Sequence, residues 1–89
     1  MQIPYNKKNI KLNYLNSYVK YFIDNDTIYF KNTLFNTDFN LNGNEEDIKT
    51  LMKGLSNGIS NKDLLLVLKK FNSDSETLYK YMLQNFIIE

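Results

Sequence analysis

The sequence of 89 residues has no cysteine, histidine, tryptophan, arginine or alanine, and it has only one proline and three glycines. Without cysteine the chain forms no internal disulfide, so its stability depends on packing. Without cysteine or histidine it lacks the usual ligands of transition metals. It also lacks the Cys–His and Ser–His pairs that activate most protein nucleophiles. These absences argue against an enzyme and predict that the protein has no cofactor.

The length and the hydropathy pattern also exclude several classes of protein. A chain of 89 residues makes one small domain, which buries only about 60–65% of its unfolded surface. No run approaches the roughly 20 apolar residues of a membrane span. Residues 1–8 lack the apolar centre of a signal peptide. We therefore expect a cytoplasmic protein that does not act on a membrane.

The charges are almost balanced, which bears on nucleic acid as a partner. Eleven lysines face ten aspartates and glutamates, and the net charge is +1. Proteins that bind nucleic acid gain most of their affinity by neutralising phosphates, and they usually carry a clear basic excess on one face. The balance therefore argues against nucleic acid, although it leaves a local basic patch open.

The serines and carboxylates have structural explanations. Ser60 and Ser73 precede apolar helical patterns, where a hydroxyl group caps a helix. A Ser–Lys nucleophile stays open as an arrangement, but each serine falls at a predicted turn or cap. The acidic run Glu45–Asp47 lacks the spaced oxygen ligands of a calcium loop and suits the positive end of a helix dipole. We therefore predict a non-catalytic binding module.

Two runs of β-branched and aromatic residues predict a hairpin. They are Tyr18–Ile23 and Thr27–Lys31, and the turn signal Asp24–Asp26 separates them. A third strand is predicted over Thr33–Leu41, where phenylalanine and leucine alternate with asparagine and aspartate. Its polar face implies exposure, so we expect this third strand to lie at the edge of the sheet.

The second half of the chain changes to a helical period. Asn44 is a predicted N-cap, and the apolar residues that follow recur at helical spacing, namely Ile48, Leu51, Met52 and Leu55. Ser60–Asp63 and Ser73–Glu76 resemble capping boxes that begin two more helices. Short strands are also possible near Leu12 and at Phe86–Ile88. The sequence thus predicts an α+β fold that is winged-helix-like, with a three-stranded antiparallel sheet followed by three helices.

The first two helices and their short connection suggest a helix-turn-helix. Lys62, Lys69 and Lys70 would then lie near DNA. The second helix nevertheless offers mainly Leu64–Leu68, which has almost no group that reads a base edge. The predicted hairpin precedes the helices, whereas winged DNA readers more often place it after them. A winged-helix regulator that binds DNA or a protein stays the alternative.

The order of the predicted strands and helices, together with two sequence motifs, resembles the PqqD-like peptide-recognition domains of ribosomal peptide pathways, the RiPP recognition elements. The phrase between the first two helices of that family is matched by Leu51, Leu55, Gly58, Ser60, Asp63 and Leu64. The closing phrase is matched by Leu83–Ile88, with Asn85 and Phe86 where the family usually has glycine. The resemblance covers residues 14–89 and leaves residues 1–13 as an N-terminal arm.

The resemblance implies a function in bacterial RiPP biosynthesis. The leader peptide of a precursor would add as a strand beside the third strand and pack against the third helix, by β-augmentation. A RiPP-modifying enzyme, in trans or fused downstream, would be the second partner. The implied peptide-binding residues are Thr33, Leu34, Phe35, Asn36, Thr37, Asp38, Phe39, Leu78, Tyr79, Tyr81, Met82 and Asn85. Met82 is expected to give an adaptable pocket, and Lys80 to pair with an acidic leader.

Overall fold

Residues 11–89, the part of the chain that the computed structural model describes, contain five strands and three helices. The strands are β1 (Leu12–Asn13), β2 (Val19–Asp24), β3 (Thr27–Asn32), β4 (Thr37–Asn42) and β5 (Ile59–Ser60). The helices are α1 (Glu45–Asn57), α2 (Asn61–Leu68) and α3 (Ser75–Gln84). The predicted α+β fold with a three-stranded antiparallel sheet and three helices is confirmed.

The meander β2-β3-β4 is antiparallel throughout, with β3 in the centre. A two-residue turn joins β2 to β3, and its first residue, Asn25, has a φ of 58°. Such turns need a positive φ at this position, and asparagine tolerates that conformation better than most residues. The predicted hairpin is therefore confirmed, with bounds shifted by one residue.

The third strand of the sheet begins later than the sequence predicts. Residues 33–36 form a turn, and β4 starts only at Thr37. Asn36 ends that turn with a φ of 57°, which breaks the extended conformation. The predicted alternation holds within β4 itself, where Leu41 is buried and Phe39 half-buried while Asp38 is exposed.

A second, smaller sheet pairs β1 with β5, a pairing between distant segments that is not predictable from the sequence pattern. Leu15 also forms a bridge with Ile88, and Tyr14 and Glu89 exchange two main-chain hydrogen bonds of 2.9 and 2.8 Å. The folded unit therefore includes Leu12 and Asn13, which the sequence predicts to lie in the N-terminal arm. Residues 1–10 of that arm lie outside the described residues.

Polar side chains begin each helix. Asn44 and Ser60 accept hydrogen bonds from main-chain N–H groups three residues later, at 2.8 and 3.2 Å, as predicted. The third helix is capped by Asp74, one residue after the predicted Ser73, through the N–H and hydroxyl groups of Thr77. An aspartate accepts at both carboxylate oxygens, which explains why it is preferred here to the neighbouring serine.

The core lies between the three helices, the C-terminal segment and one face of the meander. Its buried apolar residues are Ile28, Phe30, Leu41, Ile48, Leu51, Met52, Leu55, Leu64, Leu68, Met82, Ile87 and Ile88. We call the sheet face that carries Ile28, Phe30 and Leu41 the core face. The opposite face, which carries Phe22, Tyr29 and Asp38, is the outer face, because side chains alternate along each strand.

Candidate functional site

The strand β4 lies at one edge of the meander. Its only partner among residues 11–89 is β3, because the segment that begins at Leu12 pairs with β5 instead. The outer margin of β4 is thus free of any described element of the chain. Edge strands present unpaired N–H and C=O groups, which are a template for another strand.

The pairing register determines which main-chain groups of β4 point outward. The N–H of Gly43 donates to the carbonyl oxygen of Asp26 at 2.8 Å. Hydrogen-bonded and non-hydrogen-bonded pairs alternate along an antiparallel ladder. Thr37, Phe39 and Leu41 therefore bond to β3. The outward N–H and C=O groups belong to the other parity, namely Asp38, Asn40 and Asn42.

The chain that leaves α3 crosses beneath the core face in a defined order. The hydroxyl group of Thr37, on β4, donates to the carbonyl oxygen of Asn85. The side-chain amide of Asn32, on β3, donates to the carbonyl oxygen of Phe86 at 2.7 Å. The N–H of Asn16, which precedes β2, donates to the carbonyl oxygen of Ile87 at 2.8 Å. This order, from β4 to β3 and then towards β2, places the C-terminal end of α3 beside the start of β4.

The end of α3 is a Schellman motif with an unusual residue. The N–H of Ile87 bonds to the carbonyl oxygen of Met82 at 2.8 Å, and the N–H of Phe86 bonds to that of Leu83 at 3.1 Å. Ile87 and Met82 are both fully buried, which supplies the apolar contact typical of the motif. Phe86 has a φ of 56°, at the position where helices usually place glycine. Holding a phenylalanine there costs about 1 kcal/mol.

Phe86 stacks on Phe35 from the β3–β4 turn, and we call this pair the aromatic corner. The ring centroids are 4.3 Å apart and the rings are inclined by 27°. Both side chains are about half exposed, at 51% for Phe35 and 43% for Phe86. Residues held in sparsely populated backbone conformations cluster at functional sites, so the corner, with its exposed rings, is a candidate contact surface.

Asn32 links the two halves of the aromatic corner, and it is not among the residues predicted for the site. Its side-chain oxygen accepts from the N–H groups of Leu34 and Phe35, both at 2.9 Å, while its amide nitrogen bonds to Phe86. The side chain is fully buried. An asparagine before a turn is a known local signal, but its bond to Phe86 spans 54 residues and has no sequence signature.

We expect Asn32→Ala to lower the free energy of unfolding by about 2 kcal/mol, because three hydrogen bonds are lost at a buried position. The matched control is Asn40→Ala, which removes an exposed amide on the next strand and should change stability by less than about 0.5 kcal/mol. Urea unfolding measures both values. Equal stability of the two variants would show that Asn32 does not organise the turn.

The structure brings together only part of the predicted peptide-binding set. Thr37, Asp38 and Phe39 lie on the edge strand, and Asn85 contacts Thr37 through its carbonyl group. Thr33, Leu34, Phe35 and Asn36 lie in the preceding turn and not in a strand. Leu34 is exposed beside Phe35, so the turn still contributes apolar surface at this end of the site.

The predicted residues of α3 point in different directions. Tyr79 donates to the side-chain oxygen of Asn61 at 3.2 Å, so it faces α2. Tyr81 lies about 200° around the helix from Tyr79 and is 50% exposed. Leu78 packs against the core, and Met82 is fully buried, so the expected adaptable pocket at Met82 is not open in this structure. Of these predicted residues Tyr81 is exposed, whereas Leu78, Tyr79 and Asn85 are half-buried.

Metal binding and membrane spanning can both be examined on residues 11–89. Among residues 11–89, no group of three or more acidic, histidine or cysteine side chains is placed to hold a metal ion. Within the same residues, none of the helices combines the length and the apolar character needed to cross a bilayer.

Compared with known proteins, the chain matches no family model, no curated protein and no solved structure. Its class therefore rests on its own geometry, which is that of a small α+β domain whose edge strand β4 pairs only with β3 among residues 11–89. Any closer assignment is a proposal.

Proposed function

We propose that this protein is a winged-helix-like module that binds the leader peptide of a ribosomally synthesised precursor. The leader adds as a strand to the outer edge of β4, on the side of α3, and is thereby delivered to a modifying enzyme. The observation that carries the proposal is the free margin of β4 among the described residues. The resemblance of residues 14–89 to RiPP recognition elements supplies the identity of the peptide.

The edge of β4 supports a peptide that is held by its main chain. The outward groups of Asp38, Asn40 and Asn42 offer three N–H donors and three carbonyl acceptors at every second residue. Their side chains are polar and lie on the outer face. Affinity in such a complex comes from the main chain, and the choice of sequence comes from pockets beside it.

The aromatic corner and Tyr81 support a role in choosing the sequence. Phe35 and Phe86 form an apolar surface where α3 meets the start of β4, and Tyr81 lies one helical turn before Asn85. Aromatic residues dominate the energetics of peptide interfaces because they bury a large area with little loss of side-chain freedom. An apolar residue of the leader fits against this surface.

Titration with a synthetic leader peptide from a precursor gene that neighbours this gene tests the proposal. We expect amide chemical-shift changes in residues 37–42 and 80–86, with an affinity that varies little with salt, because main-chain bonds and apolar contacts carry it. A leader with its residue order scrambled is the matched control. Absence of binding at about 1 mM leader would contradict the proposal.

The alternative, a DNA-binding regulator, predicts a different result in the same measurement. Lys62 and Lys69 border a shallow cleft of about 270 Å³ that also contains the exposed Leu66. DNA binding through α2 would shift residues 60–70, and the affinity would fall steeply as the salt concentration rises. A short duplex titrated at two salt concentrations therefore separates the two functions.

A further inference from the structure

The second edge of the meander, formed by β2, is the most apolar exposed strand of the described chain. Tyr21, Phe22 and Ile23 are consecutive and are 47%, 61% and 49% exposed, so both faces of the strand are uncovered. Within residues 11–89, β2 pairs only with β3. A long apolar edge is a liability in solution unless another strand covers it.

The register of the hairpin shows which main-chain groups of β2 are free. The N–H of Thr33 donates to the carbonyl oxygen of Tyr18 at 2.9 Å, so the even-numbered residues of β2 bond to β3. The outward N–H and C=O groups of the central part of β2 therefore belong to Tyr21 and Ile23. An incoming strand must pair with these two residues.

We infer that β2 is the interface for a second copy of this chain, with the two β2 strands antiparallel across a two-fold axis at Phe22. In this register Tyr21 of each copy exchanges two main-chain hydrogen bonds with Ile23 of the other. These are the two residues whose N–H and C=O groups point away from β3. The two Phe22 side chains then meet on the outer face. The result is a continuous six-stranded sheet.

Charge complementarity favours a second copy of this chain as the partner of β2. Across the axis, Lys20 of each copy lies directly opposite Asp24 of the other, as a close pair on the outer face. Within its own chain Lys20 lies opposite Lys31, a like charge, and Lys31 already pairs with Asp38 at 3.6 Å. Neither Lys20 nor Asp24 has an ion-pair partner among the described residues. The second copy supplies the missing partner for both.

The alternative registers are less favourable. If the axis moves by one residue in either direction, odd-numbered residues of β2 still face each other and their outward N–H and C=O groups can still pair. Phe22 then lies opposite Lys20 in one case and opposite Asp24 in the other. A parallel arrangement in register would place like charges beside each other. In the favoured dimer the two β4 edges lie at the far ends of the sheet, so the interface is independent of peptide binding at β4.

Sedimentation velocity over a range from about 10 µM to about 1 mM tests the inference. We expect the wild type to pass from monomer to dimer in this range, since one strand pair buries less than the roughly 1,600 Å² of a standard interface. We expect Lys20→Glu and Asp24→Lys, each alone, to weaken the dimer at least about tenfold, because each variant places like charges opposite each other. Lys53→Glu makes the same charge change on exposed α1 and should leave the dimer intact.

The decisive sample is an equimolar mixture of Lys20→Glu and Asp24→Lys. In the mixed dimer both opposed pairs again join unlike charges, so the mixture should recover the wild-type association while each component alone does not. A monomeric wild type at all concentrations would overturn the inference. So would a mixture that associates no better than its components, or a dimer that neither substitution weakens. Thermal unfolding of each variant confirms that the fold is retained.

Discussion

Replacing Asn40 by proline is expected to lower the affinity for the leader peptide about 100-fold. The register of β4 points the N–H of Asn40 away from β3, so proline removes a donor that only an added strand uses. The proline ring also projects towards the ligand, where it obstructs the neighbouring main chain. Loss of one bond together with this obstruction corresponds to about 2.7 kcal/mol. Isothermal titration calorimetry with the leader measures the effect.

Asn40→Ala is the matched control for that substitution. It removes the same exposed side chain but keeps the N–H, so its affinity should stay within about twofold of the wild type if the main chain carries the binding. Proline is tolerated on an edge strand where the N–H faces solvent, and both variants should therefore remain folded. If Asn40→Pro binds as well as Asn40→Ala, strand addition at β4 is wrong.

Proline at Asn40 tests strand addition more directly than proline at Thr37. From sequence alone Thr37 is an equally good choice, since it lies within the predicted third strand. In the structure its N–H faces Asn32 on β3. Proline at Thr37 would thus break the internal ladder and confuse a loss of fold with a loss of binding, whereas Asn40 separates the two.

Replacing Phe86 by glycine is expected to abolish most of the leader affinity while leaving stability nearly unchanged. Glycine relieves the strain of a positive φ, about 1 kcal/mol, and this gain offsets the lost stacking on Phe35, about 0.5–1.5 kcal/mol. Removing an exposed aromatic anchor from a peptide site costs about 2 kcal/mol, or roughly 30-fold in affinity. Thermal unfolding and calorimetry together measure the two quantities.

Phe86→Asn is the second variant of this test. Asparagine also tolerates the left-handed conformation, but it does not restore the apolar surface. Both variants should therefore lose affinity to a similar degree and keep the fold. Wild-type affinity in either variant would show that the aromatic corner is not part of the site, and the strain at Phe86 would then need a structural explanation.

Much of the secondary structure follows from interactions within a few residues, and these were predictable. The apolar period of α1, its cap at Asn44 and the cap of α2 at Ser60 all depend on contacts over three or four positions. The alternation of Phe39 and Leu41 with polar residues predicted a half-buried strand, and the structure shows that the side of Phe39 and Leu41 faces the core. The edge character of that strand was expected from its polar face, and the strand order agrees.

The candidate site was predicted only in outline, because its details depend on contacts between distant residues. The start of β4 is displaced to Thr37 by a turn that Asn32 organises, and Asn32 in turn is oriented by Phe86. The family resemblance implies that Tyr79 contacts the peptide, but its hydroxyl group donates a hydrogen bond to Asn61 on α2. Neither contact can be recognised from the residues that surround it in the sequence.

By itself the sequence determined that this chain forms a three-stranded antiparallel meander and three capped helices, because hydrophobic period and capping act over short distances along the chain. Only the tertiary structure decided which main-chain groups of β2 and β4 are free, where α3 lies relative to the sheet, and that β1 pairs with β5. Those features depend on register and on packing between segments up to 70 residues or more apart, such as Leu15 and Ile88, and so they emerge only when the whole chain is folded.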